Sequence, residues 1–204
     1  MRKRSAGRRM TPERQQRILD VAVDIAIADG FDAITMQSVA KVAGYPRPVV
    51  YDCYPSPEAV ILAVLDRESE TVDHEIDSVA GSLDASGALS TEELVRIIIA
   101  RLESIRAQPR TWLLLSVPTE GATETVRARV NDIRETLRES FEHALELAVR
   151  EQPDPKLDTE VASHLIQDIA HTFAQRMISD PENYTTQRFR ASLEPVLATM
   201  NLTR

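Results

Sequence analysis

Apolar residues recur at helical spacing from near the start of the chain. Ile18, Leu19, Ala22, Ile25 and Ala26 are placed to share one face of a helix. Thr11-Pro12-Glu13 gives that helix an opening: a residue that can cap, a proline suited to the first turn, and an acid at the positive end of the dipole. Gly30 stops it. Thr35 caps a second, shorter helix whose apolar face is Met36, Val39, Ala40 and Ala43, and Gly44 ends it. A third stub is expected from about Pro46 to Tyr51. Pro55-Ser56-Pro57-Glu58 marks a break and a new start, with Ser56 as the cap and Pro57 as the first helical residue. The helix that follows carries Val60, Val64 and Leu65 and extends to about Val79.

The same punctuation continues. Gly81 to Ser90 reads as loop, and Thr91 caps a helix with the apolar run Leu94 to Leu102. Pro109 begins another, which carries Trp112 to Leu115. Glu120-Gly121-Ala122 is a turn. Val126 to Val149 is a long, charged amphipathic helix, broken by Gln152 to Pro155. Two more helices, about Lys156 to Ser179 and Thr186 to Met200, are parted by Asp180-Pro181-Glu182. No two-residue alternation, internal repeat or long linker interrupts the pattern. The fold class expected is all-α, with a three-helix domain over residues 1–55 and a larger helical domain over 56–204.

Composition narrows the function classes. One cysteine, Cys53, excludes an intrachain disulfide, and the basic start is followed by polar Thr11 to Arg17 rather than an apolar core. Both point to a reducing cytoplasm. The longest apolar run, Ala59 to Leu65, is far short of the roughly 18 residues that a membrane span needs. The net charge is −8, but it is unevenly spread. Met1 to Arg17 holds seven Lys/Arg and one Asp/Glu, while the residues after Pro55 hold 15 and 26. A basic head on an acidic body fits a protein that meets phosphate at one end only.

Three short helices within about 45 residues, the last a stub after a tight turn, form the skeleton of a helix-turn-helix. The second and third helices must cross closely, and Ala40, Ala43 and Gly44 are expected to supply the small residues there. The stretch from Arg17 to Leu65 resembles the TetR family of bacterial regulators. The resemblance lies in Ile18-Leu19-x-x-Ala22, Gly30-Phe31, Thr35, Val39-Ala40-x-x-Ala43-Gly44 and Tyr51-x-x-Tyr54-x-Ser56-x-Glu58, in that order and spacing. The chain departs from the family at Pro46, Pro48, Cys53 and Pro57; the last replaces a lysine that commonly meets a DNA phosphate.

The resemblance implies a role for each matching position. Gln37 and Arg47 would reach base edges. Pro48 and Val49 would make apolar contact, for example with a thymine methyl. Thr35, Tyr51 and Tyr54 would hold phosphates or pack beneath them, and Lys41 with the tail arginines Arg8 and Arg9 would add charge. Read from the residues alone, Tyr51 and Tyr54 are equally good core aromatics, and Lys41 reads more readily as a solvated face. The family also implies a dimer, a double-stranded DNA operator and a small-molecule effector, with repression the usual outcome. A regulator that has lost DNA binding and works through protein contacts is the alternative, given Pro46, Pro48 and Pro57.

For the effector, Ile97, Ile98, Leu102, Ile105, Trp112, Leu114 and Leu115 offer an apolar lining, with Glu103, Arg106 and His143 as polar anchors. For the dimer, Leu165, Ile169 and Phe173 on one helix and Phe189, Leu193, Val196 and Met200 on the next exceed what a single stripe requires. His164, Asp168 and His171 fall on one helical face, but they read as facing water or a partner rather than a metal. The sequence carries no phosphate loop, nucleophile elbow, HExxH or CxxC, so neither catalysis nor a cofactor is expected.

Overall fold

The computed structural model describes residues 11–80, 89–150 and 157–199. Arg8, Arg9 and Met200, most of the expected 81–90 loop and the break at 152–155 lie outside them. The described residues form α1 (Pro12–Asp29), α2 (Met36–Ala43), α3 (Arg47–Cys53), α4 (Pro57–Ala80), α5 (Thr91–Ala107), α6 (Pro109–Leu115), α7 (Glu124–Val149), α8 (Thr159–Ser179) and α9 (Thr186–Thr199). A single 3-10 turn, Phe31–Ala33, joins α1 to α2. No strand occurs among the described residues, and the fold is all-α.

Local chemistry explains the boundaries. Gly30 has φ 93° and donates its N–H to the Ala26 carbonyl, ending α1. Asp158 accepts from the Val161 N–H at 3.1 Å and sets the start of α8 at Thr159, three residues beyond Lys156. At α5 the cap is Ser90, not Thr91. The Ser90 hydroxyl accepts from the Glu93 N–H at 3.2 Å, and Glu93 accepts from the Ser90 N–H at 2.8 Å. This reciprocal pair satisfies two backbone donors at once, which Thr91 in the first turn cannot do. The Ser90 hydroxyl, which also donates to Glu93 at 2.7 Å, and then the Ser90 N–H hold the Glu93 carboxyl below its ordinary pKa.

Packing divides the chain into two compact units. The first contains residues up to Glu68 together with Ser116–Val130. Its core is Ile18, Val21, Ala22 and Ala26 of α1, Met36 and Val39 of α2, Val50 of α3, and Val60, Val64 and Leu65 of α4, all buried. Three short helices alone offer little to bury, and the start of α4 completes the core. The later segment adds buried Val117, Val126 and Val130. Thr123 donates to Glu58 at 2.5 Å, and Arg129 pairs with Asp66 at 3.0 Å. The expected division at 55/56 separates a reading head from the rest; the packing boundary lies at 68 and brings in 116–130.

The second unit contains Ser69–Leu115 and the residues from Asn131 onward. Helix α5 is central to it and packs against α6, α8 and α9. Its Ile97, Ile98 and Ile99 are all buried, although consecutive residues point in different directions around a helix. Helix α7 contributes Ile133, Leu137, Phe141, Ala144 and Leu145. Arg138 of α7 is buried and bonds to Glu135, Glu142 and Ser163, the last two at 2.6 and 3.1 Å. No described helix is long and apolar enough to cross a membrane.

Candidate nucleic-acid interface

Helices α1, α2 and α3 pack on one another within the first unit. The start of α2 is fixed by a reciprocal cap. The Thr35 hydroxyl accepts from the Ser38 N–H at 3.0 Å, and the Ser38 hydroxyl oxygen accepts from the Thr35 N–H at 2.9 Å. Thr35 is therefore occupied as a cap, while its position at the start of α2 remains exposed. The turn to α3 depends on Gly44, with φ 75° and ψ 25°. A Cβ added there would meet nothing within 4 Å. The glycine is required for its left-handed backbone, not for close helix crossing as the sequence suggested. Ala40 is buried and Ala43 half-buried, so the small residues at the crossing are these two.

Pro46 stands just before α3 with φ −61° and ψ 142°, and Pro48 lies in its first turn. Neither position requires an intrahelical N–H, so the helix forms from Arg47 despite both prolines. Arg47 is thus flanked by two residues of fixed φ. Its guanidinium donates to the Gln37 amide oxygen at 2.8 Å, and both side chains are exposed. Two positions ten residues apart, each expected to reach base edges, meet across the turn.

The other expected contacts distribute as follows. Lys41 and Pro48 are exposed and Val49 is half-buried. Tyr51 is 54% exposed, which removes it from the core, whereas Tyr54 is half-buried. Burial is the main influence raising the Tyr54 hydroxyl pKa, with Arg67 opposing it. Burial also pushes the Cys53 thiol up, as does Asp52. A thiol so placed carries less thiolate than a free one and is a poor oxidant sensor. Val42, not anticipated from the sequence, is 51% exposed on α2.

Residues 18–64 match the family model described as bacterial regulatory proteins, tetR family. That match covers about a quarter of the chain, and it is this stretch that is similar to the TetR family. Among curated relatives, the HTH-type transcriptional repressor KstR of Mycolicibacterium smegmatis is 35% identical over 68 residues, which is 33% of each chain. KstR of Mycobacterium tuberculosis is 27% identical over 136 residues, covering 65% of this chain and 59% of its own. The matches therefore span from a third to under two thirds of these two relatives. The solved structure of the ketosteroid transcriptional regulator KstR2 of Mycobacterium tuberculosis superposes with a TM-score of 0.73 at 17% identity, over 93% of this chain and 96% of that one. At that identity the likeness is one of fold.

The second unit holds the other expected sites. Ile97, Ile98, Leu102, Ile105, Trp112, Leu114 and Leu115 are all buried. The anticipated polar anchors are not among them: Glu103, Arg106 and His143 are exposed. The buried cation beside Trp112 is Arg101, 6% exposed, with its guanidinium 4.3 Å from the Trp112 ring centroid and 5.2 Å from that of Phe141. An arginine over two aromatic faces gains cation–π attraction. The signal was present in the sequence, because Arg101 lies three residues after Ile98 and four before Ile105, on the apolar stripe itself.

On α8, Ala162, Ser163, Ala170, Ala174 and Met177 form the buried face. Val161, Leu165 and Ile169 are 53, 58 and 56% exposed, four residues apart, on another side of the helix. His164, Asp168 and His171 are exposed as well. Of the remaining expected interface residues, Phe189 is buried and packs on Phe173 with ring centroids 4.5 Å apart; Phe173 and Leu193 are half-buried. The side chain of Val196, like Met200, lies outside the description.

Proposed function

We propose that this protein is a ligand-responsive transcriptional repressor that binds a palindromic operator as a dimer and is released by a small, mostly apolar effector. The exposed Gln37–Arg47 pair, which joins the start of α2 to the start of α3, carries this reading. Residues able to make paired hydrogen bonds are the ones that read base edges in the major groove. The basic residues before α1 supply charge for phosphate. The alternative, a regulator without DNA binding, drew on three prolines. The formation of α3 with Pro46 and Pro48 at its start, and of α4 from Pro57, supports the DNA-binding reading instead.

Dimerisation is assigned to α8 and α9. The exposed stripe Val161, Leu165 and Ile169 supports it, since a second copy would cover these side chains and pair two helices with their symmetry mates. The two heads then meet half-sites at fixed spacing. An effector that binds one head separation better than another shifts the operator affinity.

Selection from random duplexes tests the DNA arm. It should return an inverted repeat, and affinity should fall steeply with added salt as counterions are released. No enriched sequence would overturn the reading. The effector arm is tested by a panel of hydrophobic compounds. A binder beside Trp112 should change the emission of this single tryptophan, release the operator, and raise the melting temperature. At 100 times Kd the stabilisation is about 2.7 kcal/mol. A panel giving neither thermal shift nor DNA release would remove the effector.

A further inference from the structure

We infer that Gln37 and Arg47 act as one reading unit that selects guanine, and that Gln37 does not read adenine; this rests on the proposed DNA binding. A glutamine alone favours adenine, because its amide oxygen accepts from N6–H while its NH2 donates to N7. Here that oxygen is engaged. The Arg47 guanidinium has only donors to offer, so the atom it meets at 2.8 Å must be the amide oxygen of Gln37 and not its nitrogen. What the pair has left for a base is the NH2 of Gln37, the remaining N–H groups of Arg47 and one lone pair on an oxygen already bonded to a cation, so its character is mainly that of a donor. A guanidinium held beside that oxygen would also set its N–H groups against the N6–H2 of an adenine. Guanine presents two acceptors, N7 and O6, on its major-groove edge and fits a unit rich in donors.

The geometry also gives Gln37 a positioning role. Arg47 lies between Pro46 and Pro48, which limits the backbone, and the bond from Gln37 limits the side chain. The guanidinium is thereby ordered before DNA arrives, and less rotamer freedom is lost on binding. Gln37→Ala should therefore weaken the same base preference that Arg47→Ala weakens, rather than a neighbouring one.

The test is duplex selection with the full chain and the variants Gln37→Ala, Arg47→Ala and the double variant, with circular dichroism to verify folding. Both residues are exposed, so folded protein is expected from each. The wild type should enrich guanine in each half-site, with discrimination against adenine of roughly tenfold or more. Each single variant should lose preference at that same base pair, and the double variant should lose no more than Arg47→Ala. Release of the amide oxygen in Arg47→Ala should shift the preference toward adenine. Adenine in the wild-type selection, or additive losses at two separate base pairs, would overturn the inference while leaving DNA binding intact. A wild type that enriches nothing would overturn DNA binding itself, and the inference with it.

Discussion

Replacing Leu102 with alanine should lower the unfolding free energy by roughly 2–5 kcal/mol, the range for emptying a well-packed leucine site. Leu102 is 0% exposed and lies on α5, which packs against α6, α8 and α9. With neighbours on several sides, no single helix can move in to fill the space. The measurement is the urea midpoint with an unchanged slope, which separates lost stability from a changed unfolded state. Arg106→Ala is the control: it lies on the same helix but is exposed, so its effect should stay within about 0.5 kcal/mol. The size of the loss also bears on the effector. A cost well below 2 kcal/mol would show that Leu102 borders space rather than filling it.

Changing Leu165 and Ile169 together to aspartate should convert the proposed dimer to a monomer and lower the proposed operator affinity by about 10²–10⁴-fold. That is the gain ordinarily supplied by linking two binding modules. Both side chains are more than half exposed, so the substitution leaves the core of the protomer untouched and acts only on what would cover them. Leu193→Arg is a less clean probe, because Leu193 is half-buried within its own chain and a charge there would also disturb folding. Light scattering reads the mass, and titration of a labelled operator reads the affinity. An unchanged mass would place the subunit contact away from α8.

The helices were legible where their ends are set by adjacent residues. Pro12 and Gly30 bound α1, Thr35 and Gly44 bound α2, and Pro109 opens α6, as the sequence alone indicated. Caps and breakers act within four or five residues, so one sequence carries their full meaning. Contacts between distant positions were less accessible. The meeting of Gln37 with Arg47, the burial of Arg101 under Trp112, and the joining of 116–130 to the head all depend on side chains brought together by tertiary packing. Glu103, Arg106 and His143 were chosen for their chemistry, but their helical register puts them outside. Register would have pointed to Arg101, since Leu94, Ile97, Ile98, Leu102 and Ile105 flank its place on α5. Gly44 was read for its size, whereas its backbone angle is what the turn uses.

The head is discontinuous along the chain, and this sets an order of events at the ribosome. Residues up to Glu68 belong with Ser116–Val130, while Ser69–Leu115 belong to the other unit. Translation must therefore pass through the intervening residues before Val117, Val126 and Val130 can cover their neighbours. At about 5–20 residues per second, that interval lasts some seconds. During it, the apolar surface that these valines will bury is open to solvent and to chaperones. A nascent chain released before residue 130 would hold all three of the short helices without the segment that closes over them. The newly made protein thus completes its first unit only after most of the chain has been synthesised.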